Sequence, residues 1–144
     1  MFRRYLANTL TVILALMIGY VGVSYLLDPG GTAPNFGMPA WPEGEAAAFL
    51  STKGARDLVT GILPLALLFT GQRRALGWAM SIIALVPLLD AILILSNGGS
   101  TAMAVWVHLL TAVLTFGTGL LLLTEKPRAA RERPARAEEH ASAS

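Results

Sequence analysis

Five residues in otherwise apolar surroundings could do chemistry: Lys53, Arg56, Asp57, Asp90 and His108. A carboxylate and an imidazole can act as acid and base on the same molecule. A cationic side chain beside them can orient an oxygen atom. Asp90 and His108 are the candidate catalytic pair, and all five are candidate ligand-binding residues. Lys53 and Asp57 are four residues apart, so on a helix they are neighbours on one face. Arg56 is rotated about 100° from Asp57 on the same helix, which frees it for another element, with Asp90 as its expected partner.

Several chemistries are excluded by composition. There is no cysteine, so thiolate metal sites, disulfides and thiol catalysis are ruled out. A bis-histidine haem needs two histidines in the apolar region, and only His108 is there, because His140 lies in the tail. The Glu-x-x-His pairs of a di-iron bundle are missing. Asp57, Asp90 and His108 stand alone on three elements and make a poor zinc set, so no metal and no cofactor is expected. No phosphate loop is found.

The elements that must position these residues are apolar helices. The chain has 144 residues, 54% hydrophobic and 14% charged. Between Leu58 and Thr124 only Arg73, Arg74 and Asp90 are charged. Ordinary soluble chains carry about 25% charged residues, so the sequence predicts an all-α integral membrane protein. About 20 apolar residues cross a bilayer as a helix. Four spans are expected, at 6–27, 51–70, 75–96 and 101–124, forming a four-helix bundle over 1–124. The stops are Asp28-Pro29-Gly30-Gly31, Asn97-Gly98-Gly99 and Glu125-Lys126-Pro127. The second span has the shortest uncharged run, Leu58 to Thr70, and reaches span length only by taking in Lys53, Arg56 and Asp57. A re-entrant segment is the alternative there. The first span is too long for the core of a cleaved signal peptide.

Basic residues set the orientation. Arg3, Arg4, Arg73, Arg74, Lys126, Arg128, Arg131, Arg133 and Arg136 fall on one side of a four-span arrangement, and only Lys53 and Arg56 on the other. Both termini are therefore expected in the cytoplasm, in a multi-pass protein of the bacterial plasma membrane. Tyr5 and Trp78 are expected at the inner interface, with Tyr25, Trp41 and Trp106 at the outer.

Helical rise then gives depths. Arg56, Asp57, Asp90 and His108 fall ~20–25 Å from the inner ends of their spans at 1.5 Å per residue. Three helices thus place ionisable groups in one outer layer. Each such group costs ~2.5–3.5 kcal/mol in hydrocarbon unless it is paired or faces a polar cavity. His108, Thr111, Thr115 and Thr118 recur on one stripe of the last helix. Pro87 cannot donate to the carbonyl of Ile83, so a kink is expected just before Asp90. The layer is either a structural ion-pair network, a ligand pocket or part of a proton path.

The outer loop 28–50 holds Pro29, Pro34, Pro39 and Pro42, and no regular structure is expected before Pro42. Phe36, Met38 and Trp41 would lay it on the membrane surface or over the mouth of the bundle. The tail 125–144 is rich in Ala, Arg, Glu and Pro and is expected to be a disordered cytoplasmic segment.

Lys53-Gly54-Ala55-Arg56-Asp57-Leu58, with Gly61 following, resembles the Lys-Gly-x-Arg-Asp-x-x-x-Gly signature of a family of small bacterial and fungal membrane proteins. That family is catalogued as domain of unknown function 4267. Phe36-Gly37-Met38-Pro39, Pro87 with Asp90, and His108 look like its other recurring features. The resemblance covers about Gly19 to Leu123 and implies four helices and a membrane location, but no reaction. More remotely the architecture is similar to the DoxX-like four-helix membrane proteins.

The functional expectation has two branches. One is a binding or accessory membrane protein with an outer-side polar pocket for a lipid, a quinol or another apolar small molecule. The other is a membrane enzyme, an acid–base isomerase or cyclase or a quinol-linked one, acting on an apolar molecule. Expected partners are the lipid bilayer and a membrane subunit or a second copy of the chain, with no nucleic acid.

Overall fold

The computed structural model describes residues 2–125, and the predicted tail from Lys126 onward lies outside the described residues. Every regular element among them is helical. Helix α1 is Phe2–Leu27, followed by the one-turn α2 at Pro29–Thr32 and a 3-10 turn at Ala33–Phe36. A second 3-10 turn at Gly44–Ala47 leads into α3, Ala48–Phe69. Then come α4 at Arg73–Ile83, α5 at Leu85–Ser96, a π-helical segment at Met103–Leu109, and α6 at Leu110–Leu123.

Among the described residues, three helical stretches are long and apolar enough to cross a membrane: Phe2–Leu27, Arg73–Ser96 and Met103–Leu123. Four were expected. Helix α3 has the length, but Lys53, Arg56 and Asp57 in its first half keep it out of that set. Large apolar side chains face outward on every long helix, on α3 beyond the exposed Arg56: Ile13 and Leu16, Val59 and Ile62, Ile82 and Leu89, Val113 and Phe116 are all exposed. Apolar faces of that extent are what a chain offers to hydrocarbon, not to water.

With apolar side chains outside, small residues pack inside. Helix α1 lies along α3, and α4 along α6. An ideal Cβ on Gly22 would lie 2.4 Å from the Leu58 backbone nitrogen, and one on Gly54 would lie 2.8 Å from the Gly22 carbonyl oxygen. One on Gly61 would fall 2.6 Å from the Ala15 carbonyl oxygen. Gly77 and Gly119 make the same kind of approach between α4 and α6. Backbones this close gain dispersion contacts that larger side chains would forbid.

Pro87 acts where expected, with one refinement. The helix breaks at Ala84, beside the Ile83 carbonyl that Pro87 cannot satisfy, and resumes as α5. In the π segment the backbone bonds lengthen to five residues, as Leu110 donates to the Val105 carbonyl. Nothing in the sequence pattern had indicated it.

The loop after α1 is more ordered than its prolines suggested. The Asp28 side chain accepts from the Gly31 amide at 2.9 Å, Pro29 occupies the first helical position, and two short helical turns follow before Pro42. Phe36 and Met38 then turn inward onto Ala91, Ile94 and Ala104. The Gly37 carbonyl accepts from the Ser100 amide at 2.8 Å. A second buried cluster, Ala7, Leu14, Leu76, Met80 and Leu122, packs nearer the other end. At that end the Arg73 guanidinium holds both Glu125 carboxylate oxygens and donates to Asn8 Oδ1 at 2.8 Å. Arg3 donates to the Thr124 hydroxyl at 2.7 Å there too.

Candidate functional site

Between the two clusters lies a cavity of about 450 Å³, within the ~300–1,000 Å³ usual for small-molecule sites. Its walls come from α1, the loop, α3, α4, α5, the π segment and α6. Leu14, Ile18, Val21, Met80 and Ile83 give it an apolar body. Lys53, Asp90 and His108 gather at its polar end, with Tyr25 and Phe36 between them. The hydroxyls of Thr60, Thr111 and Thr115 line the walls between.

Local sequence explains how α3 presents Lys53. Gly54 and Gly61 are seven residues apart on one face and are buried against α1. That face turns Asp57 and Pro64 inward, and Asp57 is only 7% exposed. Lys53, one turn earlier, forms an ion pair with Asp57 along the helix. Its ammonium also lies 4.6 Å from the centre of the Tyr25 ring and 5.0 Å from that of Phe36. Two ring faces and one carboxylate therefore replace much of the water an ammonium loses on entering such a site.

The α5 and π-segment side carries the second pair. His108 Nδ1 stands 3.7 Å from Asp90 Oδ2. The other ring nitrogen, Nε2, lies 3.0 Å from the Phe36 carbonyl oxygen. A carbonyl can only accept, so Nε2 carries a hydrogen and donates it. This fixes the tautomer: in a neutral imidazole, Nδ1 is the bare nitrogen, and it faces the Asp90 carboxyl group. The Phe36 ring meets the imidazole edge-on, with centroids 4.8 Å apart.

Of the five residues singled out from sequence, Lys53, Asp90 and His108 line the cavity. Asp57 stands behind Lys53, outside the cavity wall. Arg56 is not among the lining residues and its side chain is exposed, so its expected pairing with Asp90 is corrected: Asp90 faces His108 instead. The helical offset that separates Arg56 from Asp57 turns it outward once the Asp57 face is buried. Tyr25, expected at an interfacial belt, is 2% exposed and belongs to the site. A signal for it existed, since Tyr25 continues the Leu14, Ile18, Val21 stripe at three- and four-residue steps. The Phe36 carbonyl had no such signal, because it reaches His108 across 72 positions of chain.

The described residues contain no group of three or more histidines, aspartates and glutamates arranged to hold a metal ion. What the site offers is a proton donor and acceptor side by side, an ammonium held among aromatic rings, and an apolar chamber beneath them.

Of the comparisons with known proteins, one gives a family and none extends further. No curated protein and no solved structure matches the chain. The remote likeness to DoxX-like proteins gains no support from them. One family model, described as Domain of unknown function (DUF4267), matches residues 15–122. That stretch runs from the Ala15 that packs on Gly61 to the end of α6 and contains every residue of the cavity's polar end, so the chain belongs to the DUF4267 family.

Proposed function

We propose that the protein is a membrane-embedded binder of an amphipathic small molecule. It holds the molecule's apolar body against α1 and α4 and its oxygen-bearing head at Lys53, Asp90 and His108. The observation that carries this reading is the cavity itself: a chamber of about 450 Å³, mostly apolar in its walls, with Lys53, Asp90 and His108 gathered at one end. A purely structural ion-pair network would fill its interior, whereas here the charged groups surround open space.

The membrane setting belongs to the same proposal. Helix α3 completes a four-helix bundle as a fourth span. The apolar outer face beyond Arg56 supports this, and the Lys53 ammonium turns to Tyr25 and Phe36 rather than to lipid. Both termini then lie on the cytoplasmic side of the bacterial plasma membrane, where the arginines concentrate. The polar pocket faces the outer half of the bilayer. An accessory role beside a membrane partner or a second copy is compatible with it.

A second reading is favoured by one observation. The 3.7 Å approach of His108 Nδ1 to Asp90, with Nε2 tied to the Phe36 carbonyl, is an acid–base arrangement. A membrane enzyme that isomerises or cyclises an apolar molecule, or that acts on a quinol, would use the pair to move a proton.

The test is to purify wild-type protein and the Asp90→Asn and His108→Ala variants in the same detergent, extract bound small molecules, and measure thermal unfolding. The binding reading expects a molecule that co-purifies with wild type and is lost from both variants, with melting temperatures close to wild type. It is overturned if wild type carries nothing and both variants melt far lower, which is the behaviour of a structural network. Conversion of an extracted molecule by wild type, abolished in both variants, favours the enzyme.

A further inference from the structure

The cavity has two routes to the outside, and they differ in chemistry. Toward the loop it is narrowed rather than sealed, and the wall residue exposed there, Asn35, is polar. Phe36 and Met38 pack on Ala91, Ile94 and Ala104, the Phe36 carbonyl is bonded to His108, and the Gly37 carbonyl to the Ser100 amide. The flank of α1 turned away from α3 is different. Met17 and Tyr20 line the cavity, yet they are 40% and 74% exposed. Val107, next to His108 on the π segment, also lines it and is 41% exposed. Residues that belong both to a cavity wall and to the outer surface mark where the cavity opens. Val86 of α5 lines it too and is 43% exposed. All four are apolar or aromatic, and all lie within the long helical stretches rather than at their ends.

From this geometry we propose that the ligand enters sideways from the hydrocarbon of the bilayer, between α1 and the Met103–Leu109 segment, through a portal bordered by Met17, Tyr20 and Val107. The proposal rests on the binding reading above and narrows its ligand. A molecule that reaches the site this way is one dissolved in the membrane. Its head carries a hydroxyl or carbonyl rather than a full charge, because the polar end is already engaged: the Lys53 ammonium is paired with Asp57, and the Asp90 carboxyl group faces the His108 imidazole. A long-chain or polycyclic alcohol, or a ketone, fits that description. A charged head would cross the apolar portal at a high cost and then compete with these pairs.

A defined probe tests the route: dodecanol carrying a photoactivatable diazirine on its chain, supplied within the bilayer of phosphatidylcholine nanodiscs that hold the full-length protein. Ultraviolet light after a short or a long incubation attaches the probe, and peptide mapping locates it. Narrowing the portal with Met17→Trp or Tyr20→Trp is expected to lower early labelling of the cavity residues Ile18 and Ile83 by about tenfold. Labelling after long incubation should match wild type. Widening it with Tyr20→Ala should raise early labelling. Both positions are exposed, so folding is little affected, and labelling of the outward Val113 reports equal probe supply. Loosening the loop with Met38→Ala should change nothing early on. The portal is overturned if early labelling follows Met38→Ala and ignores the Met17 and Tyr20 variants, or if it ignores all of them. Absence of cavity labelling in wild type at long times overturns the binding reading itself, and the portal with it.

Discussion

Gly22→Ala should destabilise the protein while the same substitution three residues away should not. A Cβ on Gly22 would lie 2.4 Å from the Leu58 nitrogen and 2.8 Å from the Gly54 oxygen. Ordinary contacts begin at 3.4 Å, and both atoms met are backbone. They cannot swing aside, so α1 and α3 must separate by roughly 1 Å, an overpacking cost of ~1–3 kcal/mol. Gly19 on the same helix would place its Cβ against nothing within 4 Å. There the exchange keeps only its helix-propensity gain, up to ~1 kcal/mol. Both exchanges share that gain, so the two variants differ by the overpacking cost, ~1–3 kcal/mol, several degrees of melting temperature in a chain of this size. Thermal unfolding followed by circular dichroism in one detergent measures the difference. Because Tyr25 on α1 and Lys53 on α3 meet at the cavity's polar end, Gly22→Ala should also weaken retention of any bound molecule. If the Gly22→Ala and Gly19→Ala proteins melt together, the close approach of α1 to α3 is not what holds this half of the molecule, and the reasoning fails.

Two further outcomes follow from the polar contacts. Asp57→Asn strands the Lys53 ammonium between two rings and should cost more stability, about 3 kcal/mol at such a part-buried pair, than the double change Lys53→Met with Asp57→Asn, which removes both charges. Equal melting temperatures for the single and double variants would contradict the pairing. At the opposite end, Arg73→Lys keeps the charge but loses the two-pronged hold on Glu125 and the bond to Asn8, so it should melt nearly as low as Arg73→Ala. A lysine variant indistinguishable from wild type would show that charge alone matters there.

Much of the molecule was legible before its structure. Sixty-odd residues with almost no charge force apolar helices, and the turn residues after Leu27, Ser96 and Thr124 end them, because backbone geometry and hydrogen bonding are local. The inward stripe of His108, Thr111, Thr115 and Thr118 was legible too, since helical periodicity alone places these residues on one face, with Thr111 half-buried on the cavity wall and the other three buried. The prolines misled in the loop, where Asp28 caps a short helix that Pro29 begins.

What the sequence by itself determined is therefore the class of element and the short list of ionisable residues that any site must use. Only the tertiary structure decided which of them meet. Arg56 and Asp57 are adjacent in sequence, yet burial of the Gly54 and Gly61 face against α1 sends one outward and the other in. Tyr25 became a wall of the site, and the backbone carbonyl of Phe36 came to fix the His108 tautomer. Such contacts join residues far apart along the chain, and they depend on how closely glycine lets one helix approach the next. No local pattern carries that distance. It is settled when the helices pack.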